Sequence, residues 1–174
     1  MTSLSLDALN ALAPDDFTAA FGDIAEHSPW VAEEAGKARP FADRAAAIRA
    51  FQHAVLGAGE ERQLDLLRAH PDLAGRAAIA GDLTEDSTRE QAGAGLDRLT
   101  PEEFARFTDM NDRYRARFGI PFIFAVKGAT KGQILESFAA RVGGTREEEM
   151  LTAIAQVLRI IRFRLEMRVA EEGA

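Results

Sequence analysis

The hydrophobic pattern of this chain is helical almost from end to end, because apolar residues recur at spacings of three and four. Two segments show the pattern most plainly, residues 43–56 and the stretch that follows Thr145. The first is predicted to place on one face Ala47, Ile48, Phe51, Val55 and Leu56. The second is predicted to place on one face Leu151, Ile154, Leu158, Ile161 and Leu165. Each face would be buried in a helical core.

Short motifs mark where further helices begin and end. Thr-Pro-Glu-Glu at residues 100–103 combines a capping box with a proline at the first helical position. Residues 130–133 and 145–148 have the same threonine-x-x-Gln/Glu spacing, and Gly119 indicates where the helix begun at residue 100 ends. A short opening turn is predicted over residues 5–12, and further helices over residues 14–21, 29–37, 60–69 and 84–94.

One apolar run does not fit a helix. Residues 122–126 read Phe-Ile-Phe-Ala-Val, which is too short for a helix and follows Gly119 and Pro121. We therefore predict an irregular apolar segment near residues 119–127. Because about eight helices surround it and no repeat or long linker divides the chain, the predicted fold class is all-α, a single helical-bundle domain over residues 1–174.

Composition fits a globular domain and narrows the chemistry. The 174 residues are 47% hydrophobic and 28% charged, with a formal net charge of −7, so broad binding to nucleic acid or to an anionic membrane is not expected. No stretch approaches the roughly 20 apolar residues of a membrane span. The first residues lack a secretory signal, so we expect a cytoplasmic protein. The absence of cysteine excludes disulfides and thiolate chemistry.

Familiar catalytic and cofactor motifs are missing from the sequence. It contains no glycine-rich phosphate loop, no His-Glu-x-x-His and no Gly-x-Ser-x-Gly. Its three histidines, His27, His53 and His70, lie far apart and lack the spacing of metal ligands. Carboxylates leave a metal ion possible, but nothing in the sequence points to one, so none is predicted.

His70 permits two interpretations. It stands at the predicted end of a helix and just before Pro71, where a histidine cation interacts favourably with the helix dipole. Alternatively, it is a proton donor or acceptor held in place by the proline, since imidazole titrates near neutral pH.

The polar cluster at residues 87–91 also has two interpretations. Ser87 and Glu90 have the spacing of a capping box, which would give them a purely structural role at a helix start. Otherwise the cluster lines a cavity, with Glu90 as a base and Gln91 as an orienting amide.

Arg164 borders the apolar face of the last predicted helix, three residues after Ile161. It either extends its guanidinium into solvent, which is the commoner outcome, or meets an anion inside. The apolar residues 122–126 are similarly either ordinary core or a segment that offers backbone N–H and C=O groups to a planar polar ligand.

Taken in order, these segments resemble the 2-oxo-4-hydroxy-4-carboxy-5-ureidoimidazoline (OHCU) decarboxylases of urate breakdown. The matching stretches are residues 38–41 (Ala-Arg-Pro-Phe), 70–76 (His-Pro-Asp-Leu-Ala-Gly-Arg), 87–91 with 94–97, the Asn111-x-x-Tyr114-x-x-Arg117 motif running on to Ile123, Arg141, and Arg164-Leu165. Where the family commonly has an aromatic residue, this chain has Ile120, which keeps the position apolar.

The resemblance implies an all-helical enzyme, usually a homodimer without a cofactor, that converts OHCU to (S)-allantoin and CO₂. It assigns the proton donor to His70, the companion acid to Glu90 and the substrate-facing arginine to Arg164. It assigns substrate contacts to Pro71, to Ser87, Thr88, Arg89, Glu90 and Gln91, and to Phe122, Ile123, Phe124, Ala125 and Val126.

Two other functions stay open from the sequence alone. One is a helical scaffold without activity, although a decayed enzyme has no reason to keep His70, Glu90, Gln91 and Arg164 together. The other is a decarboxylase or tautomerase that acts on a related ureido-imidazole or hydantoin acid.

Overall fold

A computed structural model describes residues 3–75, 81 and 83–171. Within those ranges it contains nine α-helices and no β-strand, apart from one isolated bridge between Leu4 and Val169. The helices are α1 Leu6–Ala11, α2 Pro14–Phe21, α3 Trp30–Gly36, α4 Arg44–Leu56, α5 Glu60–Ala69, α6 Glu85–Gly93, α7 Pro101–Phe118, α8 Lys131–Arg141 and α9 Arg146–Arg168. The all-α prediction is confirmed. Arg76, which ends the His-Pro motif, lies outside the described residues.

The helix-start motifs form the predicted hydrogen bonds. The hydroxyls of Thr100 and Thr130 each accept a backbone N–H bond from the residue three positions on, and each threonine donates its own backbone N–H to the side chain of that residue, which completes a capping box. Thr145 and Glu148 exchange the same pair of bonds before α9. Gly119 ends α7 with φ at 72°, a left-handed conformation that favours glycine.

Backbone contacts divide the chain into two compact units. The first comprises the described residues up to 69 and those from 158 onward, so it contains α1–α5 and the C-terminal half of α9. Its core includes a cluster of Phe17, Phe21, Phe41 and Phe51, with ring centroids 5.0–6.3 Å apart. The single-domain organisation stays a prediction.

The second unit, residues 70–157, contains α6, α7, α8 and the N-terminal half of α9. Its core is built on Tyr114, whose ring centroid lies 4.7–5.4 Å from those of Phe118, Phe122 and Phe138. Phe122 belongs to the predicted apolar segment, which is irregular as predicted and lies between α7 and α8.

The predicted burial is wrong for two leucines of the apolar faces. Leu56 is 54% exposed and Leu151 is 70% exposed. In α9 the buried face is rotated toward Ala153, Val157 and Ile160, so Leu151 falls on its solvent side. No described helix is long and apolar enough to cross a membrane.

Candidate active site

His70 directly follows α5 and opens a loop over residues 70–75. Its side chain is only 8% exposed, and the Nδ1 atom of the imidazole is buried. Pro71 comes next, and its ring fixes the backbone dihedral φ beside the histidine. The imidazole is therefore held in a restricted and largely dry environment.

Two buried hydrogen bonds fasten this loop to neighbouring helices. Ala74 donates its backbone N–H to Oε1 of Gln91 on α6, at 2.9 Å. Asn111 on α7 donates Nδ2 to the backbone carbonyl of Leu73, also at 2.9 Å. Since buried backbone groups need partners, these amides replace the bonds that a helix or strand would have supplied.

An ion pair makes a third attachment of the loop. Nε of Arg115 on α7 lies 2.9 Å and 3.0 Å from the two carboxylate oxygens of Asp72. The loop also holds Ala74 at φ 52°, a left-handed conformation that costs energy in a residue other than glycine. The surrounding bonds thus impose a defined shape on the segment that holds His70.

The helix α6 begins earlier than its capping-box interpretation required. Thr84 is the N-cap, and its hydroxyl accepts the backbone N–H of Ser87. Ser87 is therefore the third residue of the helix, so its interpretation as the helix cap paired with Glu90 is wrong.

One face of α6 contains three of the five polar candidates. Ser87, Glu90 and Gln91 are spaced by three and four residues and lie within about 100° around the helix axis. Ser87 and Gln91 are buried, and Glu90 is half-buried. Because Gln91 also holds the His70 loop, the structure fastens the histidine's loop to the helix of Glu90.

The other two candidates of this helix, Thr88 and Arg89, are exposed. The Thr88 hydroxyl donates to the backbone carbonyl of Thr84 at 3.0 Å, and Arg89 pairs with the buried carboxylate of Asp86 at 3.2 Å. Their role as substrate contacts stays a prediction.

Two grooves open beside the loop. Pro71 and Asn111 line one of about 600 Å³, and Thr88 and Gln91 line another of about 650 Å³. His70 is absent from the described residues that line them, so both open next to the histidine and not onto it.

The segment of residues 122–126 is held by two side chains. Arg141 donates Nη1 to the carbonyl of Ile123 at 2.8 Å, and the N–H of Ala125 donates to Oε1 of Gln156 at 2.9 Å. The N–H and C=O of Phe124 and the N–H of Val126 bond to no other group in the described part of the chain. Backbone groups without a partner in the described part of the chain, called open groups below, can bond a ligand or water.

Arg141 itself belongs to a buried network. It forms two hydrogen bonds with the carboxylate of Glu149, and Nη2 lies 3.3 Å from the hydroxyl of Tyr114. Burial and the neighbouring Glu149 carboxylate raise the pKa of Tyr114 well above its usual range, and the Arg141 charge opposes them only in part.

Arg164 lies in the first unit and is completely buried. The interpretation in which its guanidinium extends into solvent is therefore wrong. Nη1 donates to the carbonyl of Ile24 at 3.1 Å, and Nη2 lies 3.8 Å from a carboxylate oxygen of Glu26, which is also 0% exposed. The anion that this arginine meets inside the unit is thus a carboxylate of the protein. The other proposed site residues all belong to the second unit.

Sequence reasoning missed the roles of Asn111, Gln156 and Glu149 in holding the two irregular segments. Asn111 had a detectable signal, because it occupies a core position between Phe107 and Tyr114 on the apolar stripe of α7. A polar residue at such a position indicates a buried partner.

Comparison with known proteins shows the family of the chain. The family model described as OHCU decarboxylase matches residues 10–166. A 2-oxo-4-hydroxy-4-carboxy-5-ureidoimidazoline decarboxylase of Haloferax volcanii is 42% identical over 172 residues, covering 99% of this chain and 100% of the relative. One of Halalkalicoccus jeotgali is 41% identical over 174 residues, covering 99% of this chain and 97% of the relative.

A solved structure is also similar to this chain. The crystal structure of an (S)-allantoin synthase matches with a TM-score of 0.77 and 29% identity, covering 96% of this chain and 54% of that longer one. The chain belongs to the OHCU decarboxylase family.

Proposed function

We propose that this protein is a carboxy-lyase that decarboxylates OHCU to (S)-allantoin and CO₂ in urate breakdown, without a cofactor. The observation that supports it best is the buried bond between Ala74 and Gln91. It joins the loop of a buried histidine to the helix of Glu90, and this supports a site in which the imidazole and the carboxylate act together.

The substrate supplies its own electron sink. In OHCU the departing carboxylate sits on a carbon that also bears a hydroxyl and adjoins a ring C=N bond. When the C–C bond breaks, its electron pair moves toward the C=N bond and the imine nitrogen takes up a proton. The hydroxyl then loses its proton and becomes a carbonyl, while a second proton reaches the carbon that bears the ureido group. The protein has to align the bond, move protons and stabilise developing charge.

His70 and Glu90 are proposed to move the protons. Protonated His70 would neutralise the charge that arrives on the imine nitrogen or deliver the proton to the product carbon. Delivery to one face of that carbon would give a single enantiomer. Glu90 would hydrogen-bond the substrate hydroxyl and accept its proton as the carbonyl forms.

The remaining contacts would orient the heterocycle. Pro71 and residues 87–91, including Thr88 and Arg89, are proposed to border the substrate, with Ser87 and Gln91 fixing ring or ureido amides. The open N–H and C=O groups of residues 122–126 are proposed to pair with the same kind of planar amide.

Arg164 is proposed to face a ring or ureido oxygen. Tight binding of the departing carboxylate would stabilise the ground state and slow the reaction. The buried Glu26 carboxylate near Arg164 offsets part of its positive charge, which favours a neutral oxygen over a second carboxylate.

The decisive experiment supplies freshly generated OHCU and follows its ultraviolet decay together with the optical rotation of the product. The wild-type protein should accelerate the decay and give an excess of (S)-allantoin, whereas spontaneous decay gives a racemate. Unaccelerated decay or a racemic product would contradict the proposed function.

Replacing His70 by Asn tests the proton donor. We expect turnover to fall by about 100-fold or more with the fold retained. His53→Asn is the matched control, because His53 is exposed on α4 and has no proposed role. A fully active or unfolded His70→Asn variant would count against the assignment. Glu90→Ala should lose turnover without a matching loss of thermal stability.

A homodimer and a cytoplasmic location complete the proposal. Light scattering of the purified protein should give twice the 18.9 kDa chain mass. A monomeric mass with full activity would rule out the homodimer as a requirement.

A further inference from the structure

The segment of residues 122–126 lacks secondary structure, so its backbone position depends on side chains from other elements. One anchor is Arg141, the last residue of α8, and the other is Gln156 on α9. They hold opposite kinds of backbone group, a carbonyl at Ile123 and an N–H at Ala125. The open groups of Phe124 lie between these two anchored residues.

Hydrogen bonds and a ring contact fix the orientation of the Arg141 guanidinium. Nε and Nη2 donate to the two carboxylate oxygens of Glu149, and only 12% and 3% of the two side chains are exposed. Nη1 is left to bond the Ile123 carbonyl, while the guanidinium carbon lies 4.5 Å from the ring centroid of Phe122. A planar fork of this kind fixes direction as well as charge.

Lysine cannot reproduce this arrangement. Its single ammonium would keep the charge beside Glu149, but it cannot bond two carboxylate oxygens and a backbone carbonyl in one plane. The position therefore requires the planar geometry of arginine and not only its charge, as expected of a side chain that fixes the position of a backbone segment.

We propose that Arg141, oriented by Glu149, is a positioning residue that sets the substrate-facing backbone of residues 122–126. The inference rests on the proposed function and deepens it. Arg141 does not touch the substrate. It acts through the Ile123 carbonyl and the Phe122 ring, so that the open groups of Phe124 and Val126 match the planar amides of the ureidoimidazoline.

The test compares KM and kcat of Arg141→Lys with those of the wild-type enzyme on freshly generated OHCU. We expect KM to rise about five- to tenfold with little change in kcat, because the lost contacts bind substrate and transition state alike. A purely structural role would instead lower the active fraction, which reduces apparent kcat and leaves KM unchanged. That result would overturn the inference.

Arg117→Lys is the matched control. Arg117 belongs to the same unit and donates Nη2 to the backbone carbonyl of Gly144 at 2.9 Å, outside the 122–126 segment. Its KM should stay at the wild-type value. A KM increase as large as that of Arg141→Lys would show a general effect of arginine loss and contradict the inference.

Gln156→Ala decides the matter if Arg141→Lys fails to fold. Gln156 is half-buried and releases only the Ala125 N–H, so the segment loses its other anchor. We again expect a higher KM at nearly constant kcat. Wild-type KM in this variant overturns the inference. An inactive wild-type protein refutes the proposed function, and the inference with it, so the two failures are distinguishable.

Discussion

Removing the buried cation in the first unit should have a large effect on stability. In Arg164→Met the methionine has a similar volume, but Glu26 keeps a fully buried carboxylate without its neighbouring guanidinium. Breaking one partner out of a buried pair typically costs about 3–5 kcal/mol. A small protein has only about 5–15 kcal/mol of unfolding free energy, so this is a substantial fraction.

Thermal unfolding followed by circular dichroism measures the effect. For a chain of this length, about 2–4 °C is lost per kcal/mol, so Tm should fall by about 6–20 °C. The double variant Arg164→Met with Glu26→Gln should recover much of this loss, because no lone buried charge remains. Arg162→Met is the matched control, since Arg162 is exposed and its pair with Glu166 should contribute at most about 1 kcal/mol.

The same variants separate the structural role of Arg164 from its proposed catalytic role. If Arg164→Met unfolds at the temperature of Arg162→Met, the electrostatic reasoning about the buried pair is wrong. If the double variant is stable and turns over OHCU at the wild-type rate per folded molecule, Arg164 has no catalytic role. Stable but inactive protein is the expected outcome.

Three further predictions concern Gln91, Tyr114 and Asp23. Gln91→Glu keeps an oxygen acceptor for the Ala74 N–H, so the protein should stay folded. A loss of activity in the folded variant would then report the missing Nε2 donor, whereas unfolding would show that the loop needs the amide itself. Tyr114 is the only tyrosine, and its raised pKa means that it stays protonated in the folded protein while the unfolded chain ionises above about pH 10, so stability is lost as pH rises. The ultraviolet band of tyrosinate should therefore appear only together with unfolding, and its appearance in folded protein would contradict the buried network. Partial burial opposes ionisation of Asp23, but the hydrogen bonds and charge of Arg168 outweigh it and lower the pKa. This contribution to stability is present above about pH 4 and is lost as pH falls below it, so Asp23→Asn should flatten the acid limb of a Tm profile; an unchanged limb would refute the assignment.

The helix boundaries were predictable because their signals are local. The capping boxes at Thr100 and Thr130, and the glycine after Phe118, each depend on residues within one turn of the helix end. Such bonds form whenever the helix forms, whatever packs against it.

The cap of α6 shows where local signals become ambiguous. Thr84 stands three residues before Ser87, and Ser87 stands three residues before Glu90, so the spacing does not show which of Thr84 and Ser87 is the N-cap. Glu85 and Asp86 resolve the choice physically, because acidic residues are favoured in the first turn of a helix and the earlier start places them there.

The buried position of Arg164 depended on a residue far away in the sequence. Its spacing placed it at the border of an apolar face, from which a guanidinium ordinarily reaches water. The first unit instead brings Glu26 and the carbonyl of Ile24 to it. Periodicity within one helix contains no information about such a partner.

The two irregular segments of the proposed site share one construction. Gln91 and Asn111 hold the backbone beside His70, and Arg141 and Gln156 hold the backbone of residues 122–126. In each case a polar side chain of a helix residue bonds a backbone group that has no partner in a helix or a sheet. The helices therefore supply both the core and the hydrogen bonds that a loop would otherwise obtain from water. Since those bonds are formed before any ligand arrives, the segments lose less conformational entropy when a ligand binds. This is the physical advantage of building a site for a small planar substrate in this way.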